Sequence, residues 1–247
     1  MKNFCISILF ALLMISTDSA RAVSVSSPDG AITFTLKFNE RTEPVYTVQF
    51  ETEAVIRESR LGLRFRDQAP FDQALKVIGS QRQSGDAQWE QPWGERRLVR
   101  DRHNELLIQL ESTDGNGRRI DLRVRVFDDG LGFRSEVPAQ DGYAEVSILE
   151  EITEFHLSAD STAWWIPGRR YNRYEYLYQE ARLSEVETAQ TPFTIRTPAG
   201  TYLSLHEAAL VDYAAYVLDQ RRGGLLQTRL TPWSDGVRVR TGTPFKT

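Results

Sequence analysis

Six aromatic residues crowd into positions 164–178: Trp164, Trp165, Tyr171, Tyr174, Tyr176 and Tyr178, interleaved with Arg169, Arg170, Asn172, Arg173 and Glu175. Sugars present apolar C–H faces ringed by hydroxyls. A site for them needs flat aromatic surfaces beside fork-shaped and amide hydrogen-bonding groups. Trp164, Trp165, Tyr174 and Asn172 are the candidates for that work. The plain alternative puts the aromatics in a core with the arginines solvated around it, and composition alone leans that way. Single-stranded nucleic acid also stacks on aromatic and basic residues, but a formal net charge of −4 argues against it.

The carboxylates offer less. Glycoside hydrolysis needs two carboxyl groups facing each other across one bond. Neighbours along a strand point to opposite faces, so neither Asp128-Asp129 nor the Glu150, Glu151, Glu154 group supplies that geometry locally. Asp128-Asp129-Gly130 reads as a turn, and residues 150–154 as a solvated strand edge. The three histidines, His103, His156 and His206, have no metal-ligand spacing. His206-Glu207 could form an acid–base couple. Calcium needs neither His nor Cys, because it takes oxygen ligands from distant segments.

The frame that positions these residues is 247 residues long, with 40% hydrophobic content, enough for a full core. Its start reads differently. A charged tip at Lys2, an apolar run over 4–15 and the small-x-small site Ala20-Arg21-Ala22 read as a signal peptide over 1–22. Cleavage there leaves 225 residues with net charge −5 and removes Cys5, the single cysteine. The mature chain is then thiol-free, with no disulfide, no Cys-based metal site and no lipid anchor. A periplasmic or secreted protein without a membrane anchor is expected.

Period-two alternation dominates the rest. Ile32, Phe34, Leu36 and Phe38 alternate with Thr33, Thr35 and Lys37. The runs Leu106, Ile108, Leu110 and Ile120, Leu122, Val124, Val126 repeat the pattern across a turn-rich link at 113–117, which predicts a hairpin. Residues 192–197 and 201–206 form a second candidate pair around Pro198-Ala199-Gly200. Residues 207–218 carry helix-forming alanines, but Val211, Tyr213 and Val217 favour a strand. The prediction is one all-β domain over 23–247.

In chain order, a series of phrases resembles the N-terminal domain of glycoside hydrolase family 97. The first are Ser27-Pro28-Asp29-Gly30, Pro44-Val45-Tyr46 and Ser59-Arg60-Leu61-Gly62-Leu63. Next come Pro92-Trp93-Gly94-Glu95, His103-Asn104-Glu105-Leu106, residues 126–134 and Glu151-Ile152-Thr153-Glu154-Phe155. Tyr174-Glu175-Tyr176-Leu177-Tyr178, Thr191-Pro192-Phe193 and residues 206–213 complete the set. The resemblance implies a β-super-sandwich of the galactose mutarotase type, in an exported, calcium-dependent α-glucosidase or α-galactosidase. It also implies a (β/α)-barrel partner that carries the catalytic acid and the base or nucleophile, and an α-linked oligosaccharide as substrate. The sandwich of that family gives one glutamate to the shared calcium; by motif position the role falls to Glu175, with Glu207 second. The final residues, 242–247, resemble the segment leading into the barrel, which this sequence does not contain. This chain alone is therefore expected to be inactive and to hold calcium weakly or not at all.

Two other functions fit the same residues. A stand-alone isomerase resembling aldose mutarotases would use His206 as acid and Glu175 or Glu207 as base. An autonomous sugar-binding module would use Trp164, Trp165 and residues 171–178 without a partner.

Overall fold

The computed structural model describes residues 22–168 and 173–247. The alternating segments become strands: β1 (Val23–Ser26), β2 (Ile32–Phe38), β3 (Pro44–Phe50), β4 (Glu53–Phe65), β5 (Leu75–Glu90), β6 (Leu98–Ser112), β7 (Arg119–Phe127), β8 (Gly130–Val137) and β9 (Glu145–His156). Shorter ones follow: β10 (Thr162–Trp165), β11 (Gln179–Arg182), β12 (Thr188–Ala189), β13 (Phe193–Arg196), β14 (Tyr202–Leu205), β15 (Tyr216–Arg222), β16 (Leu225–Leu230), β17 (Val239–Gly242) and β18 (Phe245–Lys246). Among the described residues the single helical turn is 3₁₀, Leu183–Glu185. No helix among them is long and apolar enough to cross a membrane.

Three sheets result. The largest runs β1-β2-β3-β4-β9-β16-β15-β12, with β17 also pairing β9; a second runs β18-β8-β7-β6-β5; a third runs β11-β10-β13-β14. Both expected hairpins form, with Leu106 opposite Val124 and Leu110 opposite Ile120 in one, and Phe193 opposite Leu205 in the other. Asp128 and Asp129 make the β7–β8 turn.

The inward faces of the two larger sheets share one core. Phe34 of β2 and Tyr46 of β3 stack with ring centroids 5.4 Å apart, and Phe133 of β8 closes on both at 6.1 and 5.2 Å. Leu36, Leu61, Leu110, Ile120 and Leu122 continue it, and Trp165, Phe193 and Ile195 tie in the third sheet. Each buried side chain of this size contributes about 1.5–3 kcal/mol, which is what selects the alternating register. Gly62 of the Ser59–Leu63 phrase has a steric reason: a Cβ there would lie 2.7 Å from Asp72 Cβ.

One open choice closes and one expectation changes. Residues 207–218 form no helix; residues 206–215 are a loop and Val217 and Leu218 enter β15, where they are buried. Nor is 150–154 a solvated edge, because β9 is an interior strand flanked by β4 on one side and by β16 and β17 on the other. Glu154 is accordingly buried. Its carboxylate accepts the Arg60 guanidinium at 2.8 Å and the Arg60 backbone N–H at 3.0 Å, and Arg60 also reaches Glu43 at 3.1 Å.

Candidate functional site

The aromatic segment leaves the third sheet at the end of β10. Trp164 and Trp165 are adjacent in a strand and must diverge. Trp165 is 3% exposed and belongs to the core, so the two tryptophans do not share a surface. Trp164 faces outward instead. Its indole N–H donates to Glu180 Oε2 at 3.0 Å, Tyr202 stacks on it at 6.0 Å, and the Arg196 guanidinium lies 5.9 Å from its ring centre. The outward rows of β10, β11, β13 and β14 make this cluster, since Trp164 pairs with Glu180 and Thr194, and Arg196 with Tyr202.

The chain then threads past β12 and β15 through Pro167 and Gly168. Gly168 is required there, because a Cβ would meet Thr188 Cγ2 at 2.9 Å and Val217 Cγ1 at 3.1 Å. Its N–H donates to the Thr188 carbonyl at 2.7 Å. Asn172, with Arg169, Arg170 and Tyr171, lies outside the described residues. Residues 173–178 follow as coil on the surface: Tyr174 is 56% exposed, Leu177 88% and Tyr178 63%. Arg173 sits over the Tyr176 ring at 5.4 Å. Glu175 is exposed, with no hydrogen bond or ion pair to its carboxylate among the described residues.

Glu207 is placed differently. It begins the 206–215 loop, is half-buried, and accepts the Tyr216 backbone N–H at 3.1 Å. Burial raises its pKa, with the Tyr216 N–H and the charge of His206 pulling the other way. His206 itself is exposed. A second carboxylate anchors the far end of the loop. Tyr213 donates its hydroxyl to Glu151 Oε2 at 2.7 Å, while Thr153 Oγ1 donates to Glu151 Oε1 at 2.7 Å. Enclosure of the Glu151 carboxyl raises its pKa, and these two hydroxyls only partly offset that. Between the anchors the loop presents Leu210 and Val211 to solvent. Leu177 of the 173–178 coil is a further exposed large apolar side chain.

Of the sequence candidates, then, Trp164, Tyr174 and Glu175 reach the surface and Trp165 does not. Glu180, Arg196 and Tyr202 were not singled out beforehand; Glu151 entered only within the 150–154 carboxylate group and Tyr213 only as a strand former. Period two along 202–205 would have placed Tyr202 outward with Arg196, but Glu151 and Tyr213 carry no local signal of their contact. Among the described residues no three His, Cys, Asp or Glu gather as a cation site. Glu175 fits calcium chemistry as a single hard oxygen donor, far short of the six to eight oxygens the ion takes.

The geometry gives an all-β domain with an exposed aromatic coil that carries the Glu175 carboxylate; comparison with known proteins gives its class. The sequence profile described as "Glycosyl-hydrolase 97 N-terminal" matches residues 25–246. A glycoside hydrolase family 97 enzyme from Pseudoalteromonas sp. strain K8, solved in complex with panose, superposes with a TM-score of 0.87 at 45% identity, over 91% of this chain and 34% of that one. The same enzyme solved with acarbose gives the same figures. A "Probable retaining alpha-galactosidase" of Streptomyces bingchenggensis (strain BCW-1) is 30% identical over 197 residues, 72% of this chain and 29% of the relative. The chain therefore belongs to glycoside hydrolase family 97 and corresponds to its N-terminal domain. It spans about a third of the length of the relatives it resembles.

Proposed function

We propose that this chain is the sugar-binding and scaffold part of an exported, calcium-dependent α-glycosidase, working with a (β/α)-barrel catalytic domain in cis or in trans. The observation that carries this reading is the surface coil 173–178, where Glu175 is exposed beside Tyr174 and Tyr178. Of the two claimants, Glu175 has neither carboxylate oxygen engaged among the described residues, whereas Glu207 spends one on the Tyr216 N–H. Glu175 is thus the residue that would hold calcium, and Glu207 stands second. When bound, the ion would supply a positive charge that polarises a sugar oxygen. Trp164, Tyr174 and Asn172 would line the approach of an α-linked oligosaccharide, a class supported by the panose and acarbose complexes of the Pseudoalteromonas relative.

Leu177, Leu210 and Val211 would bury against the barrel, and the unpartnered chain would show them as a sticky patch. The leader over residues 1–22 and a periplasmic or secreted destination belong to the same proposal. Calorimetry with calcium tests it. The chain alone is expected to bind weakly or not at all; mixed with a family barrel domain it should bind stoichiometrically, and Glu175→Gln should weaken that binding by about 10-fold or more. Tight binding by the chain alone, or a Glu175→Gln mixture that binds normally, would overturn the assignment.

A further inference from the structure

The five-stranded sheet ends on β5, whose inner edge pairs β6 from Leu75 opposite Ser112 to Glu90 opposite Leu98. Its outer edge, over 76–90, makes no backbone hydrogen bond among the described residues. A long row of unpaired N–H and C=O groups is a template for another strand, so edges are ordinarily blunted by proline, like charges or bulges. β5 contains no proline, and its register shift sits near one end, at Val77/Gly79. Residues 81–84 and 86–90 are all exposed.

The order of side chains along this edge is self-complementary. In the β5–β6 register, Arg82, Ser84 and Asp86 oppose Leu106, Asn104 and Arg102, on one face. Gly79, Gln83, Ala87 and Trp89 oppose Gln109, Glu105, Asp101 and Val99, on the other. A two-fold axis at Ser84 sets Arg82 against Asp86 twice and Trp89 against Gly79 twice, every pair on a common face. Opposite charges and an aromatic over a bare glycine are both favourable cross-strand pairs. Parallel in-register pairing would instead set Arg82 against Arg82. Asp86 already accepts both Arg100 nitrogens, at 2.8 and 2.6 Å, and a carboxylate has lone pairs for a further donor. Arg82 donates to the Ser24 carbonyl at 2.7 Å, an exposed contact that can be exchanged.

We infer that the β5 edge is a self-association surface: a second copy of this chain adds its β5 antiparallel, about Ser84, and makes one continuous sheet across both copies. This goes beyond the glycosidase reading and does not depend on it. Sedimentation velocity on the wild-type protein should show a dimer. Arg82→Asp and Asp86→Arg should each raise its dissociation constant roughly tenfold or more, since each reversal replaces two attractions by two repulsions. An equimolar mixture of the two variants should recover the dimer, because every reversed charge then meets its opposite. Monomeric wild type, a dimer that neither reversal weakens, or a mixture that stays apart would each overturn the inference. Should either variant fail to fold by circular dichroism, Ser84→Cys in a Cys5→Ser background replaces it. Mild oxidation should link copy to copy at position 84 and leave Ser80→Cys unlinked; equal linkage at both, or none at 84, refutes the two-fold.

Discussion

Glu105 and Glu136, on the outward face of the β5–β8 sheet, and Glu151 and Glu207, beneath the 206–215 loop, are the same side chain in opposite company. Glu105 is 1% exposed yet stays ionised: burial pushes its pKa up, but hydrogen bonds from Arg125 and Arg123 outweigh that. Glu136, held chiefly by Arg123 at 2.8 Å and also by Arg134 at 2.7 Å, falls to about 2. Glu151 and Glu207 meet hydroxyls and a backbone N–H, and burial carries both upward. Cations compensate the first pair on the spot. The second pair holds a loop in shape without any guanidinium or ammonium hydrogen-bonded to it among the described residues. The 206–215 loop therefore rests on carboxyls held by hydroxyls and a backbone N–H, while the outward face of the β5–β8 sheet is locked by ion pairs.

The sharpest way to break this contrast is Arg123→Ala, which strips a cation from two carboxylates at once. It should cost about 3 kcal/mol in urea unfolding; a loss no larger than that of an ordinary surface change would erase the distinction. Glu105→Gln should cost about 2 kcal/mol, because it leaves the Arg123 and Arg125 guanidiniums facing a neutral amide. Under the loop, Tyr213→Phe should cost about 1 kcal/mol, the usual worth of one hydroxyl hydrogen bond. It should also raise hydrogen exchange across 206–215, and unchanged exchange there would argue that Tyr213 is no anchor. Glu151→Gln should lie within about 0.5 kcal/mol of wild type near neutral pH, since the amide oxygen still accepts a hydroxyl and no buried cation is orphaned.

Acid and base limbs of the stability curve sharpen the comparison further. The folded pKa of Glu136, about 2, lies below its ordinary 4.5, so its stabilisation is complete above 4.5 and drains as pH falls toward 2. Glu151 and Glu207 are raised, so the folded chain holds their protons more tightly than the unfolded one does. Their contribution is complete below 4.5 and fades as pH rises through their folded values. Glu136→Gln should flatten the acid limb and Glu151→Gln the limb above 4.5, and a swap of those effects would contradict the assignment.

Much of the frame was readable beforehand. The alternations at 32–38, 106–110 and 120–126 became strands with their apolar rows buried, and the turn at 113–117 joined the expected hairpin. The choice left open at 207–218 closes on a loop running into a strand, because Val217 and Leu218 gain more by burial in β15 than alanine gains in an isolated helix. Residues 150–154 misled because a run of glutamates looks solvated until β4 on one side and β16 and β17 on the other enclose β9 and Arg60 pairs with Glu154.

What the sequence determined by itself was the strand period, the turns and the family phrases, because each depends on residues close together along the chain. Which carboxylates are neutralised and which are left with hydroxyls was decided by tertiary structure alone. Arg123 reaches Glu105 only through the β6–β7 register, and Tyr213 reaches Glu151 across 62 positions. Charge compensation is set by distance in space, and no local pattern encodes which distant strand will lie alongside.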